Sequence, residues 1–161
     1  MEIKYLTLLR DNPIRVGFGE DKSIRPMSLQ EIGNLEHLYN NNNPFPLALK
    51  ELLFLAGNYC YVLDYGIFPT RQEMQEFVRV RISRNNRQII RPFFAVDIYN
   101  GGEQFIFVYL DEGDNPPTYE GHYYFDPSTD DGSDWITPVT STLSGLIDHG
   151  INRVKQGQNP F

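Results

Sequence analysis

Two apolar runs separated by an Asn-Gly-Gly break constrain the fold of this chain more than any other feature of its sequence. Pro92 to Tyr99 and Glu103 to Leu110 flank Asn100-Gly101-Gly102. These three residues reach positive φ at little cost and favour a tight turn between antiparallel strands. In the second run Phe105, Phe107 and Tyr109 alternate with Ile106, Val108 and Leu110. Both faces of that strand are apolar, so each must be covered, and the strand belongs inside a sheet. Thr118 to Phe125 reads as a third strand.

Helical signals surround this β region. Ser28-Leu-Gln-Glu31 is a capping box leading into Ile32, Leu35 and Leu38 on one face. After Asn40 to Pro44, Pro46 opens a second helix whose Leu49, Leu52, Leu53 and Ala56 form an apolar stripe up to Gly57-Asn58. Tyr59 to Leu63 reads as a short strand. Thr70-Arg-Gln-Glu73 is a second capping box, followed by Met74, Phe77, Val78 and Ile82 at helical spacing. Ser141 to Val154 carries Leu143, Leu146, Ile147, Ile151 and Val154 on one stripe and reads as a closing helix. The expectation is a single α+β domain, a mainly antiparallel sheet packed against helices. Residues 1–27 read as an N-terminal extension with a candidate strand at Ile3 to Leu9, residues 28–155 as the domain, and residues 156–161 as a C-terminal tail.

With 161 residues, 40% of them hydrophobic, the chain suits one domain with a substantial core. Fourteen Lys and Arg against 21 Asp and Glu leave a net charge of −7, which opposes attraction to phosphate backbones and disfavours a nucleic-acid binder. The lone Cys60 cannot form an intramolecular disulfide. The start Met1-Glu2-Ile3-Lys4 has no signal-peptide character, and no apolar run approaches the roughly 20 residues of a membrane span. The expected location is the cytoplasm, with no membrane partner.

Local chemistry offers little to a catalyst. Asp126 to Asp134 resembles a calcium loop, but its sixth and twelfth positions are Asp131 and Thr137 where Gly and Glu are required. His37, His122 and His149 lie far apart in sequence, without ligand spacing. Gly-x-Ser-x-Gly and phosphate-loop motifs are absent. Cys60, between Tyr59 and Tyr61, reads as a small core residue. No cofactor and no metal are expected. A hydrolase whose site leaves no local signature stays open, to be raised by an acid or base partner at His122 or Cys60.

Charge, however, is segregated. Arg71 to Arg91 contains six Arg against Glu73 and Glu76, whereas Pro92 to Asn152 contains 11 acidic residues and no Lys or Arg. Asp111, Glu112, Asp114, Asp130, Asp131 and Asp134, with Tyr119 and Trp135 among them, lie on or beside expected loops. Aromatics beside carboxylates suit a basic protein partner, the rings supplying contact area and the carboxylates steering encounter. The alternative is a solvated face whose charges keep the protein soluble and partly pair with one another.

Several strings, taken in order from Ser28 to Val154, resemble the SUKH superfamily. Its bacterial members are largely immunity proteins of polymorphic toxin systems, and its fungal members regulate cell-wall assembly. Phe45-Pro46 stands where that family has Leu-Pro, and Gly57-Asn58 follows the second helix at its small-residue turn. The Asn100-Gly101-Gly102 hairpin comes next. Asp114-Asn-Pro-Pro-Thr-Tyr119 looks like the family's Asp-Pro-Pro-Val-Tyr strand start, and Thr140 to Ile147 is similar to its final Ser-Phe-x-x-Phe-Leu helix. The resemblance implies a SUKH-like α+β fold and a non-catalytic protein-binding role, that of an immunity protein whose partner is a cognate toxin domain, for instance a basic nuclease. A regulatory interaction scaffold of the cell-wall type is the alternative. Pro46, Gly57, Pro116 and Pro117 carry over as turn and packing positions.

Overall fold

The hairpin turn adopts the backbone its residues favour, with Asn100, Gly101 and Gly102 at φ of 52°, 66° and 86°. The structure, a computed structural model, describes residues 1–15, 22–64, 66–123 and 135–160. In chain order its elements are α1 (Thr7–Asp11), β1 (Ile14–Arg15), β2 (Lys22–Ser23), α2 (Leu29–Tyr39), α3 (Leu47–Ala56), α4 (Arg71–Arg84), β3 (Phe93–Tyr99), β4 (Gln104–Tyr109), β5 (Thr118–His122), β6 (Ile136–Thr140) and α5 (Leu143–Lys155). The last four strands form an antiparallel sheet in the order β3-β4-β5-β6, and β1 pairs with β2. The architecture is α+β, with β4 inside the sheet as its two apolar faces require.

One sheet face is an aromatic ladder. Phe105 and Phe107 are fully buried and stack at 5.4 Å between centroids, Phe105 meets Tyr123 at 4.9 Å, and Phe107 meets Tyr119 at 5.7 Å. Gly121 stands opposite Phe105, where an added Cβ would lie 2.3 Å from the ring. Only glycine leaves that ring its place.

Helix starts follow their capping signals. Ser28 and Glu31 complete the reciprocal box on α2, whereas Thr70 accepts the Glu73 N–H. Ile32 and Leu35 are buried, but Leu38 points outward at 52% exposure, so the buried face of α2 is narrower than its sequence stripe.

Three sequence expectations are corrected, and one strand is added that the sequence reading did not include. Ile3 to Leu9 is not a strand: Thr7–Asp11 is a short helix that buries Leu6 and Leu9 completely in the core. Five residues cannot hold a helix alone. Its approach is fixed by the fully buried Glu51 of α3, whose carboxylate accepts the Lys4, Tyr5 and Leu6 N–H groups at 2.7, 2.8 and 2.8 Å. Tyr59 to Leu63 is likewise no strand; Tyr59 makes a single bridge to Arg25, and the rest turns. Among the described residues the third strand stops at His122, with Tyr123 outside it, and Tyr124 and Phe125 of its expected span lie outside the described residues. Finally, β6 gave no expected strand, because Pro138 interrupts its pattern. It forms at the sheet edge, where a missing N–H is tolerated.

The opposite edge, β3, is covered by α4. Residues Arg71, Gln75 and Arg79 recur every four positions and so share one helix face. Arg71 Nη1 donates to Val96 O at 2.7 Å. Gln75 donates to Ala95 O at 2.7 Å and accepts the Ala95 N–H at 2.9 Å, and Arg79 donates to Phe93 O at 3.0 Å. Val96 sits where the β3–β4 register shifts, so its carbonyl lies outside the regular ladder. Gln75 thus does the work of a neighbouring strand.

Candidate functional site

The register of β3 and β4 determines where the predicted acidic loop meets a cation. Phe93 pairs with Tyr109, and continuing the ladder brings Arg91 opposite Asp111. Arg91 Nη2 lies 2.5 Å from Asp111 Oδ1, its Nη1 lies 2.9 Å from Glu112 Oε1, and its guanidinium rests 3.9 Å from the Tyr109 ring centroid. The Tyr119 hydroxyl donates to Glu112 Oε2 at 3.0 Å, and its ring meets Tyr109 at 5.0 Å. Asp111, Glu112 and Tyr119 therefore form one surface cluster around Arg91. The hydrogen bonds that Arg91 donates hold the Asp111 carboxyl below its usual range, and donating to Asp111 and Glu112 raises the Arg91 guanidinium. Burial, then the bond to Glu112, raises the Tyr119 hydroxyl.

The other predicted residues are placed differently. Asp114 is exposed on the same loop, and its carbonyl accepts the Ala48 N–H at 2.8 Å, holding the start of α3. Asn115 Oδ1 accepts the Ser144 N–H at 3.1 Å, and Pro116 O accepts that of Leu143 at 2.7 Å. The Asp-Asn-Pro-Pro string thus joins the N-termini of two helices to the sheet. Trp135 is half-buried against the core under Arg87, 5.2 Å from its ring, and its carbonyl accepts the His122 N–H at 3.0 Å. Asp130, Asp131 and Asp134, like the calcium-loop resemblance at 126–134, lie outside the described residues.

A second polar group, which gives His122 partners the sequence reading did not assign to it, forms on the sheet face opposite the aromatic ladder. His122 Nε2 lies 3.0 Å from Glu120 Oε1, and its Nδ1 lies 2.9 Å from Gln104 Nε2. The Tyr99 hydroxyl also bonds Glu120, and burial followed by that bond raises it. A signal existed: Glu120 and His122 are two apart on a strand, and such residues share a face. Beside this group Val62, Asp97, Tyr99, Ile106, Leu146 and His149 line a cleft of about 210 Å³ between the sheet and α5. Asp97 is 4% exposed and its Oδ1 accepts the Asp64 and Ile98 N–H groups at 2.7 and 2.9 Å; burial pushes its carboxyl up to about 7.

His122 does have an acid partner: among the described residues its side-chain contacts are Glu120 and Gln104. Cys60 is fully buried in the core, and burial pushes its thiol up to about 12, far from a reactive thiolate. Among the described residues no group of three or more His, Cys, Asp or Glu is placed to hold a metal ion, and no helix is long and apolar enough to cross a membrane. Compared with family models, curated proteins and solved structures, the chain finds no match.

Proposed function

We propose that this chain is a non-catalytic protein-binding module of the cytoplasm, an immunity protein that neutralises a cognate toxin of a bacterial polymorphic toxin system by covering its active surface. The observation that carries this reading is the loop 111–114, which presents Asp111, Glu112 and Asp114 beside Tyr109 and Tyr119 with Arg91 as the cation paired among them. On a chain of net charge −7, that rim steers a basic partner toward aromatic contact area. A nuclease domain fits this description because its own surface must attract phosphates. The SUKH-like order of motifs supports the same role.

The test is affinity capture of the tagged chain from its host's lysate, first at low and then at physiological salt, with mass spectrometry of what remains bound. The expected product is a basic polypeptide that kills cells when expressed alone and is harmless when co-expressed with this chain. Neutralising Asp111, Glu112 and Asp114 together to Asn, Gln and Asn should slow its association and weaken the salt dependence. The same substitution at Asp130, Asp131 and Asp134 tests whether the rim extends along the chain. Capture of cell-wall or signalling proteins instead, with no toxic partner, would replace this reading by the regulatory-scaffold one.

A further inference from the structure

Asp97 is the most deeply buried acid of the second half among the described residues, and its first oxygen alone does its structural work. Oδ1 takes both backbone N–H groups, from Asp64 and Ile98, whereas Oδ2 has no hydrogen bond or ion pair among the described residues. For accepting two N–H groups an amide oxygen would serve equally well, without the cost of desolvating a charge. The carboxylate lines a cleft whose remaining walls are mostly hydrocarbon, from Val62, Leu63, Ile106, Leu146 and Pro160, with Tyr99 and His149 as the other polar groups. An apolar cleft with one converging acid selects a small molecule that is hydrocarbon at one end and cationic at the other. At about 210 Å³ the cleft is below the usual size of drug-like pockets, so the ligand is small.

We propose that this cleft is a binding site for a small aliphatic primary amine, its ammonium group pairing with Asp97 Oδ2 and its hydrocarbon packing on Val62, Ile106 and Leu146. The site shares no residue with the Asp111 cluster and does not depend on the immunity reading. Binding is coupled to the protonation of Asp97, because the ammonium group requires the ionised carboxylate. The groups that act on this carboxyl are Asp64, Arg71, Tyr99 and Cys60, with His149 across the cleft.

The experiment is a methyl NMR titration of the full chain at about pH 8 with isopentylamine and, separately, with isopentanol, which has nearly the same shape and no charge. The amine is expected to shift the methyls of Val62, Ile106 and Leu146 saturably and to bind about tenfold more tightly than the alcohol, as a charge-assisted hydrogen bond implies. Asp97→Asn should bring the amine down to the level of the alcohol. Leu146→Trp fills the cleft, leaves the carboxylate in place and should abolish both. If Asp97→Asn fails to fold, the pH arm decides: in a His149→Gln background, which removes the other titrating group of the cleft wall, the preference for amine should fall between about pH 8 and pH 6. Equal affinity for amine and alcohol in the unmodified chain, methyl shifts confined to another surface, or a preference that persists in Asp97→Asn or at the lower pH would each overturn the proposal.

Discussion

The arginine-rich segment 71–91 and the acidic stretch 92–152 are opposite charge blocks in the sequence, yet the fold uses them differently. Two of the arginines, Arg71 and Arg79, are turned inward, whereas Arg84 and Arg91 stay at the surface. Arg71 is 2% exposed and donates to Gly57 O and Val96 O, and Arg79 lies between the Tyr39 and Phe93 rings at 4.4 and 4.3 Å while donating to Phe93 O. Of the acids, Asp97 is buried to a comparable degree, but Glu103, Asp111 and Asp114 are exposed. The difference is chemical. A guanidinium carries several donors on a long apolar stem, so it can cross a sheet edge, cap its carbonyls and stack on rings. A carboxylate only accepts, and once buried it needs N–H groups aimed at it, as Asp97 has from Asp64 and Ile98. A block of like charge in a sequence is therefore a surface only where the fold offers it no backbone to bind.

Four measurements would sharpen or break this contrast. The largest effect is expected from Arg71→Ala, which leaves the Gly57 and Val96 carbonyls without this donor in the interior and removes the cation that favours ionised Asp97. Urea unfolding should register a loss of about 3 kcal/mol, and a loss similar to that of an exposed arginine would show the inward use to be unimportant. Gln75→Ala strips the Ala95 N–H and C=O of their partner and should cost about 2 kcal/mol. Because it reopens a sheet edge, it should also raise the tendency to associate, which light scattering would detect.

The third concerns pH. Burial raises the Asp97 carboxyl from the ordinary aspartate range to about 7, so the folded state holds its proton more tightly than the unfolded state does. The stability tied to that proton is complete below about pH 4 and is lost as pH rises through about 7. Asp97→Asn, whose amide oxygen can still accept both N–H groups, should remove this fall, and a stability difference from the parent chain that stayed constant from pH 4 to 8 would refute the shift. The smallest effect belongs to Arg91→Ala: its bonds to Asp111 and Glu112 join side chains that are 40%, 46% and 21% exposed, so the stability change should stay below about 1 kcal/mol. Under the proposed function the same change strengthens the acidic rim and should speed encounter with a basic partner in stopped-flow mixing.

Much of the fold was legible because its signals are local. The Ser28 box, the stripe Leu49, Leu52, Leu53 and Ala56, the Asn100 to Gly102 turn and the closing helix each depend on neighbours within a few residues. The failures are non-local. Leu6 and Leu9 suited either a strand or one turn of helix until Glu51 took the N–H groups ahead of them, and β6 depended on Pro138 finding an edge. Of the predicted site, Asp111, Glu112 and Tyr119 do come together, but the cation joining them, Arg91, came from the block read as its opposite.

From the amino-acid order alone came the α+β class, the central position of β4, most helix starts and the segregation of charge, because propensity, capping and periodicity act over a turn or a strand pair. Tertiary structure decided which charges remain at the surface, which sheet edge is covered, and that Asp97, Tyr99, Ile106 and His149 share one cleft. Those outcomes rest on contacts between residues far apart in the chain, whose geometry exists only once the helices have packed on the sheet.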